Sequence, residues 1–209
     1  MHLSSLPSQY GIGTMGKRAR EFVDFLQASG QTCWQLLPIC PTSYGDSPYQ
    51  SYSTFAGNPY FIDLEELEEM GLLDKSDYET IDWESEPDKV NYGVLYQKRY
   101  PVLRKAAERF LMNPPEDFNE FCEQNDSWLS DFALFMSLKD VHDGAQWSEW
   151  KSPLRNRDTL ALTVATSEQK DNIFFWKAVQ YLFFKQWFKL KEYANERGIS
   201  IIGDLPIYV

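Results

Sequence analysis

The chain has 209 residues, 43% hydrophobic and 24% charged, a balance that fits one or two globular domains with a sizeable core. Its formal net charge of -11 repels phosphate backbones and anionic lipid, and no apolar run approaches a membrane span, which argues against nucleic-acid and membrane partners. With 3 Cys and 2 His the chain offers no disulfide framework, zinc site or His-rich metal centre, and no basic-then-apolar leader opens it, so a cytoplasmic location is expected.

The first periodic segment runs from Gly16 to Ser29. Ala19, Phe22, Val23, Phe25 and Leu26 recur at helical spacing there, and Gly30 supplies the stop. Thr32–Leu37 reads as a buried strand ended by Pro38. From Ile39 to Pro59 periodicity is lost among Pro, Gly and Tyr, and a loop of this length inside a compact domain is usually functional. A short acidic helix follows at Leu64–Glu69, then an acidic connector over Asp74–Asp88.

Helices are predicted over Tyr92–Leu111, Glu116–Gln124 and Ser127–Asp140, with Pro101 expected to kink or interrupt the first. A loop over Asp143–Asp158 leads to a long helix from about Ser167 to Arg197, whose aromatic stripe reads as core. Gly198 stops it, and Ile199–Ile202 forms a second strand running into Gly203-Asp204-Leu205-Pro206. Two clear strands, with a possible stub at the start, are too few for a parallel sheet covered on both faces. The expected fold class is therefore α/β, as part of a (β/α)8 barrel, which when complete needs about 250 residues.

Several short patterns offer chemistry. Gly11-Ile12-Gly13-Thr14-Met15-Gly16 matches the dinucleotide pattern, but Ser5–Tyr10 stands where its strand should be and no acidic residue closes a second strand. His142-Asp143 reads as a helix C-terminus with Gly144 as the stop. Ser4, Ser5 and Ser47 have no suitable base. Sugar recognition calls for planar aromatic faces beside carboxylates and amides, and Tyr44–Ser53 supplies both directly after a strand. A locally packed Gly/Pro turn fits the same composition. Asp204, at the end of the second strand, is the second candidate, although taken alone it reads as a turn or cap aspartate.

Longer ordered motifs narrow the reading. His2-Leu3-Ser4-Ser5-Leu6-Pro7, Tyr10-Gly11-Ile12-Gly13, Trp34-Gln35-Leu36-Leu37-Pro38, Gly45-Asp46-Ser47-Pro48-Tyr49-Gln50, Phe55-Ala56-Gly57-Asn58-Pro59 and Ile201–Val209 together resemble glycoside hydrolase family 77, the 4-alpha-glucanotransferases. The resemblance implies the N-terminal portion of the barrel, with a large helical insertion between the second and third strands. Residues 1–62 would begin the barrel and hold the substrate loop, 63–165 would form the insertion, and 166–209 would return to the barrel.

It also implies transfer of alpha-1,4-glucan segments to a sugar 4-hydroxyl by a retaining mechanism, with no metal or organic cofactor. Maltooligosaccharides are the implied partners, together with the C-terminal remainder of the barrel. Tyr49 would stack on the sugar beside the scissile bond, Asp46, Ser47 and Gln50 would line the acceptor side, and Asp204 would support the catalytic centre. Tyr44 and Tyr96 resemble aromatics of a second glucan-binding groove. No catalytic residue is expected in this chain, because the family's three catalytic carboxylates lie on later strands. A non-catalytic glucan-binding module and a barrel-class alpha-glucan hydrolase are the alternatives.

Overall fold

The computed structural model describes residues 1–86 and 88–208; Pro87 of the acidic connector and Val209 at the end of the last motif lie outside the described residues. The chain divides into two compact units, Met1–Asn113 with Gln180–Val209, and Pro114–Val179.

In the first unit a 3-10 turn at Leu3–Ser5 precedes α1 (Lys17–Ala28) and β1 (Cys33–Gln35). Ala19, Val23 and Leu26 of α1 are buried at i, i+4 and i+7. Gly30, at φ +70°, lets the chain turn off the helix while Gln31 N–H bonds back to Leu26 O at 2.9 Å. Asp63 caps α2 (Leu64–Glu69), its carboxylate accepting from Glu66 N–H at 2.9 Å, and Asn91 caps α3 (Tyr92–Met112), accepting from Val94 N–H at 3.2 Å.

Of the kink or interruption expected at Pro101, the interruption is absent: helix α3 runs continuously through it. Pro101 removes one N–H, but it and Gln97, whose carbonyl loses that partner, both lie on the exposed side, where water can bond the freed oxygen.

The second unit holds α4 (Asp117–Gln124), α5 (Asp126–Val141), α6 (Ser152–Arg155) and α7 (Thr159–Glu168). Helix α8 (Lys170–Glu196) gives Lys170–Val179 to this unit and Gln180–Glu196 to the first. Leu129, Phe132, Ala133, Phe175, Trp176 and Val179 are buried in it, and Trp176 Nε1 donates to Asp140 Oδ2 at 3.0 Å. Leu138, Trp150 and Ala165 form a smaller cluster.

Gly198, at φ +72°, ends α8 and the chain enters β2 (Ser200–Ile202). Strands β1 and β2 pair in parallel, Cys33 opposite Ser200, Trp34 opposite Ile201 and Gln35 opposite Ile202. The expected fully buried strand is covered on one face: Trp34 and Leu36 are 2% and 1% exposed, whereas Cys33, Gln35 and Leu37 face outward. The alternation follows from the strand period, and on the covered face Phe22 of α1 meets Trp34 edge-on, ring centroids 5.1 Å apart. No helix among the described residues is long and apolar enough to cross a membrane.

Two buried glutamines on α8 were hidden in the aromatic stripe. Gln180 Oε1 accepts from Gly57 N–H at 2.7 Å and its Nε2 donates to Gly57 O at 2.9 Å. Gln186 grips Asp63 in the same way, at 2.6 and 3.1 Å. Each carboxamide satisfies both polar groups of one buried peptide residue, which would otherwise cost about 1–3 kcal/mol apiece.

Candidate functional site

The loop between β1 and α2 is closed on itself. Thr42 and Ser51 form an antiparallel bridge, and Ser43 N–H bonds Gln50 O at 3.0 Å. Its tip turns through Gly45 and Asp46, at φ +92° and +55°. Aspartate tolerates this left-handed region better than most side chains, and Asp46 N–H closes the turn on Ser43 O at 3.1 Å. Ser47 Oγ accepts from Tyr49 N–H at 3.3 Å, and Gln50 N–H bonds Ser47 O at 3.1 Å. Buried Ser51 holds the stem, with Oγ 2.6 Å from Pro41 O and 2.8 Å from Ser53 O.

The loop is joined to the segment after β2. Gln50 and Tyr208 form a parallel bridge, Ser51 N–H bonds Tyr208 O at 2.9 Å, and Ile207 and Tyr208 N–H both reach Tyr49 O at 3.0 Å. Tyr49 Oη donates to Asp204 Oδ2 at 2.8 Å, and this bond raises the phenol pKa. Asp204 Oδ1 accepts from Leu205 N–H at 2.9 Å, so the aspartate is held from both sides. Tyr49 and Asp204 thus meet across 155 positions of sequence, beyond the carboxyl ends of two parallel strands.

Asp46 belongs to a different neighbourhood. Burial raises its pKa, and its charge adds to burial in raising those of Tyr60 and Tyr92. Tyr52 is raised by burial first, then by Tyr96 and Asp46. Ring centroids lie 6.2 Å apart for Tyr60–Tyr92, 5.7 Å for Tyr60–Tyr100 and 6.0 Å for Tyr96–Tyr100. Tyr60, Tyr92, Tyr96 and Tyr100 therefore form one group of rings that feels the Asp46 charge, while Tyr49 pairs with Asp204. Tyr44 is 95% exposed at the loop tip, Tyr96 is 65% exposed, and Gln50 is exposed with Ser47 half-buried. Sequence reasoning picked out Tyr96 and missed Tyr92 and Tyr100, although the i, i+4, i+8 spacing along α3 places all three on one stripe.

The other patterns have structural uses. A Cβ on Gly13 would fall 2.0 Å from Leu3 O, and one on Gly16 would fall 2.0 Å from Asp63 Oδ2, so this glycine run packs against protein atoms. His142 is the C-cap of α5, its ring stacked on Trp150 with centroids 5.2 Å apart. A groove of ≈ 580 Å³ in the helical unit, bordered by Ser130, Asp131, Leu134, Thr163 and Lys177, contains none of the expected site residues.

Two parallel strands joined through helices, with phenols, a tethered carboxylate and a closed turn beyond their carboxyl ends, define an α/β protein. The chain belongs to the 4-alpha-glucanotransferase family, glycoside hydrolase 77, whose family model matches residues 1–209. It is 48% identical over its whole length to a 4-alpha-glucanotransferase of Clostridium butyricum, of which it covers 43%, and 45% identical to one of Thermus thermophilus, of which it covers 42%. Among solved structures it superposes on the amylomaltase of Streptococcus agalactiae in complex with acarbose with a TM-score of 0.96 and 44% identity, covering 100% of this chain and 43% of that one. The chain thus spans less than half the length of these relatives.

Proposed function

We propose that this chain is the N-terminal portion of a 4-alpha-glucanotransferase, forming the start of a (β/α)8 barrel with the helical unit as an insertion between barrel strands. The whole protein transfers alpha-1,4-glucan segments to an acceptor 4-hydroxyl, retaining configuration through a covalent glucosyl-enzyme. Its nucleophile and acid/base come from outside this chain. Here Tyr49 stacks on the sugar beside the scissile bond, with Asp204 fixing its hydroxyl. Asp46, Ser47 and Gln50 receive acceptor hydroxyls, and Tyr44 and Tyr96 hold more distant glucan. The free thiols of Cys33, Cys40 and Cys122 fit a cytoplasmic setting.

The observation that carries this reading is the Tyr49–Asp204 hydrogen bond, which sets an aromatic face and a carboxylate at the strand ends. Such a pair suits a pyranose, whose axial C–H faces pack on rings while its hydroxyls bond carboxylates. The test is to express the unbroken reading frame containing this chain, incubate it with maltotriose and separate the products. Glucose together with oligosaccharides longer than maltotriose is expected. Glucose and maltose alone would make the protein a hydrolase, and binding without turnover would make it a glucan-binding module.

A further inference from the structure

We propose that Gln180 is a positioning residue for the Tyr49 loop, and that Gln186, which makes the same kind of clamp, is not. Both side chains are buried, at 0% and 3% exposure, and each bonds the N–H and the carbonyl of a single residue. They differ in what they hold. Gln186 holds Asp63, the cap of α2. Gln180 holds Gly57, close to the end of the aperiodic Ile39–Pro59 stretch that carries Tyr49.

From Gly57 the connection to Tyr49 is continuous. Asn58 N–H bonds Ile39 O at 2.9 Å, pinning the loop's end to its beginning. Phe55 and Ala56 N–H bond Ser53 Oγ at 3.1 and 3.2 Å, Ser53 N–H bonds Ser51 Oγ at 3.2 Å, and Ser51 N–H bonds Tyr208 O beside Tyr49. The Phe183 ring fills the space beside Gly57, where a Cβ would fall 2.0 Å from a ring carbon. Without the Gln180 bonds, Gly57 can pull away from α8 and carry this relay with it. Tyr49 would then sit less accurately under the sugar.

This inference rests on the glucan-transfer reading, and the paired clamps give the test its control. Gln180→Leu and Gln186→Leu are compared in the whole protein by thermal unfolding, maltotriose kinetics and hydrogen exchange. Both variants are expected to lose similar stability. Only Gln180→Leu should raise the maltotriose KM, by about fivefold or more with kcat within about twofold, and only it should speed exchange at residues 50–57. If Gln180→Leu does not fold, Gln180→Met replaces it, since its unbranched, adaptable side chain has a similar length and lacks both the donor and the acceptor. Equal KM and exchange changes in both variants, or none in either, would overturn the proposal. If the wild type transfers no glucan, the functional reading fails and exchange alone decides the inference.

Discussion

At the scale of single residues, what matters is which polar atoms have partners. Tyr49 Oη has one in Asp204, and the bond lies at an exposed site where water competes for both groups. Replacing Tyr49 by Phe keeps the ring face proposed to stack on sugar and removes only the tether. Its expected effect is a fall of roughly tenfold in kcat/KM for maltotriose with no change in thermal stability, whereas Tyr49→Ala should cost substantially more because the face is lost too. Equal activity of the Phe variant and the wild type would show that Asp204 does not orient the ring. His2 is the contrary case. Its Nδ1 is buried without a partner, and burial, aided by the neighbouring N-terminal charge, lowers its pKa to about 4. The folded chain therefore refuses a proton that the unfolded chain accepts at about 6.5. Stability from this group is fully present above that pH and falls as the pH drops through the window down to about 4. His2→Gln should flatten the acid side of a stability–pH curve measured by urea unfolding; an unchanged slope would exonerate His2.

At the scale of elements, a helix with one apolar stripe announces itself and a helix without one does not. α1, α2, α3, α4 and α5 were legible because recurring apolar positions mark them, with a capping residue added at α2 (Asp63) and at α3, where Asn91 precedes the Val94, Leu95, Val102, Leu103 set. α7 was not, because its Thr/Ala-rich sequence buries only Ala165 and so carries no face to detect. Gln180 and Gln186 were illegible for a related reason. Sequence cannot distinguish a glutamine inside an aromatic stripe that bonds a distant backbone from one at a solvated edge. The Tyr49–Asp204 contact was likewise invisible until β1 and β2 were placed in parallel register. Pro101 shows where a local rule overstates its reach. The ring costs α3 a hydrogen bond on the exposed side, and helix-interior Pro is about 3 kcal/mol worse than Ala. Loss of unfolded-state restriction on replacement gives back up to about 1 kcal/mol. Pro101→Ala should therefore stabilise the protein by about 2 kcal/mol, seen as a rise of several degrees in thermal midpoint; a fall would mean that the ring packs in a way α3 depends on.

At the scale of the whole molecule, the parallel pair raises a question of coverage. Parallel sheets are normally buried on both faces and have no free edges in a closed barrel. Here Cys33 and Gln35 face outward from β1 and Leu37 faces outward two residues beyond it, Ile202 is 48% exposed, and Leu205, Ile207 and Tyr208 are each 70% exposed or more. Each strand also has one partner among the described residues, leaving backbone donors and acceptors unpaired on its far side. In the proposed barrel the remaining strands would occupy those edges and the interior would cover the outward faces. The 209-residue chain by itself should then self-associate and turn over no maltotriose, whereas the whole protein should turn it over. Sedimentation velocity over a concentration series checks the first point. Ile202→Lys should reduce association of the isolated chain, because a charge on that face resists desolvation. The same substitution should abolish folding of the whole protein, where that face lies inside the barrel. A monodisperse isolated chain that unfolds cooperatively, with Ile202→Lys tolerated in both contexts, would mean that nothing covers this face and that the barrel reading is wrong.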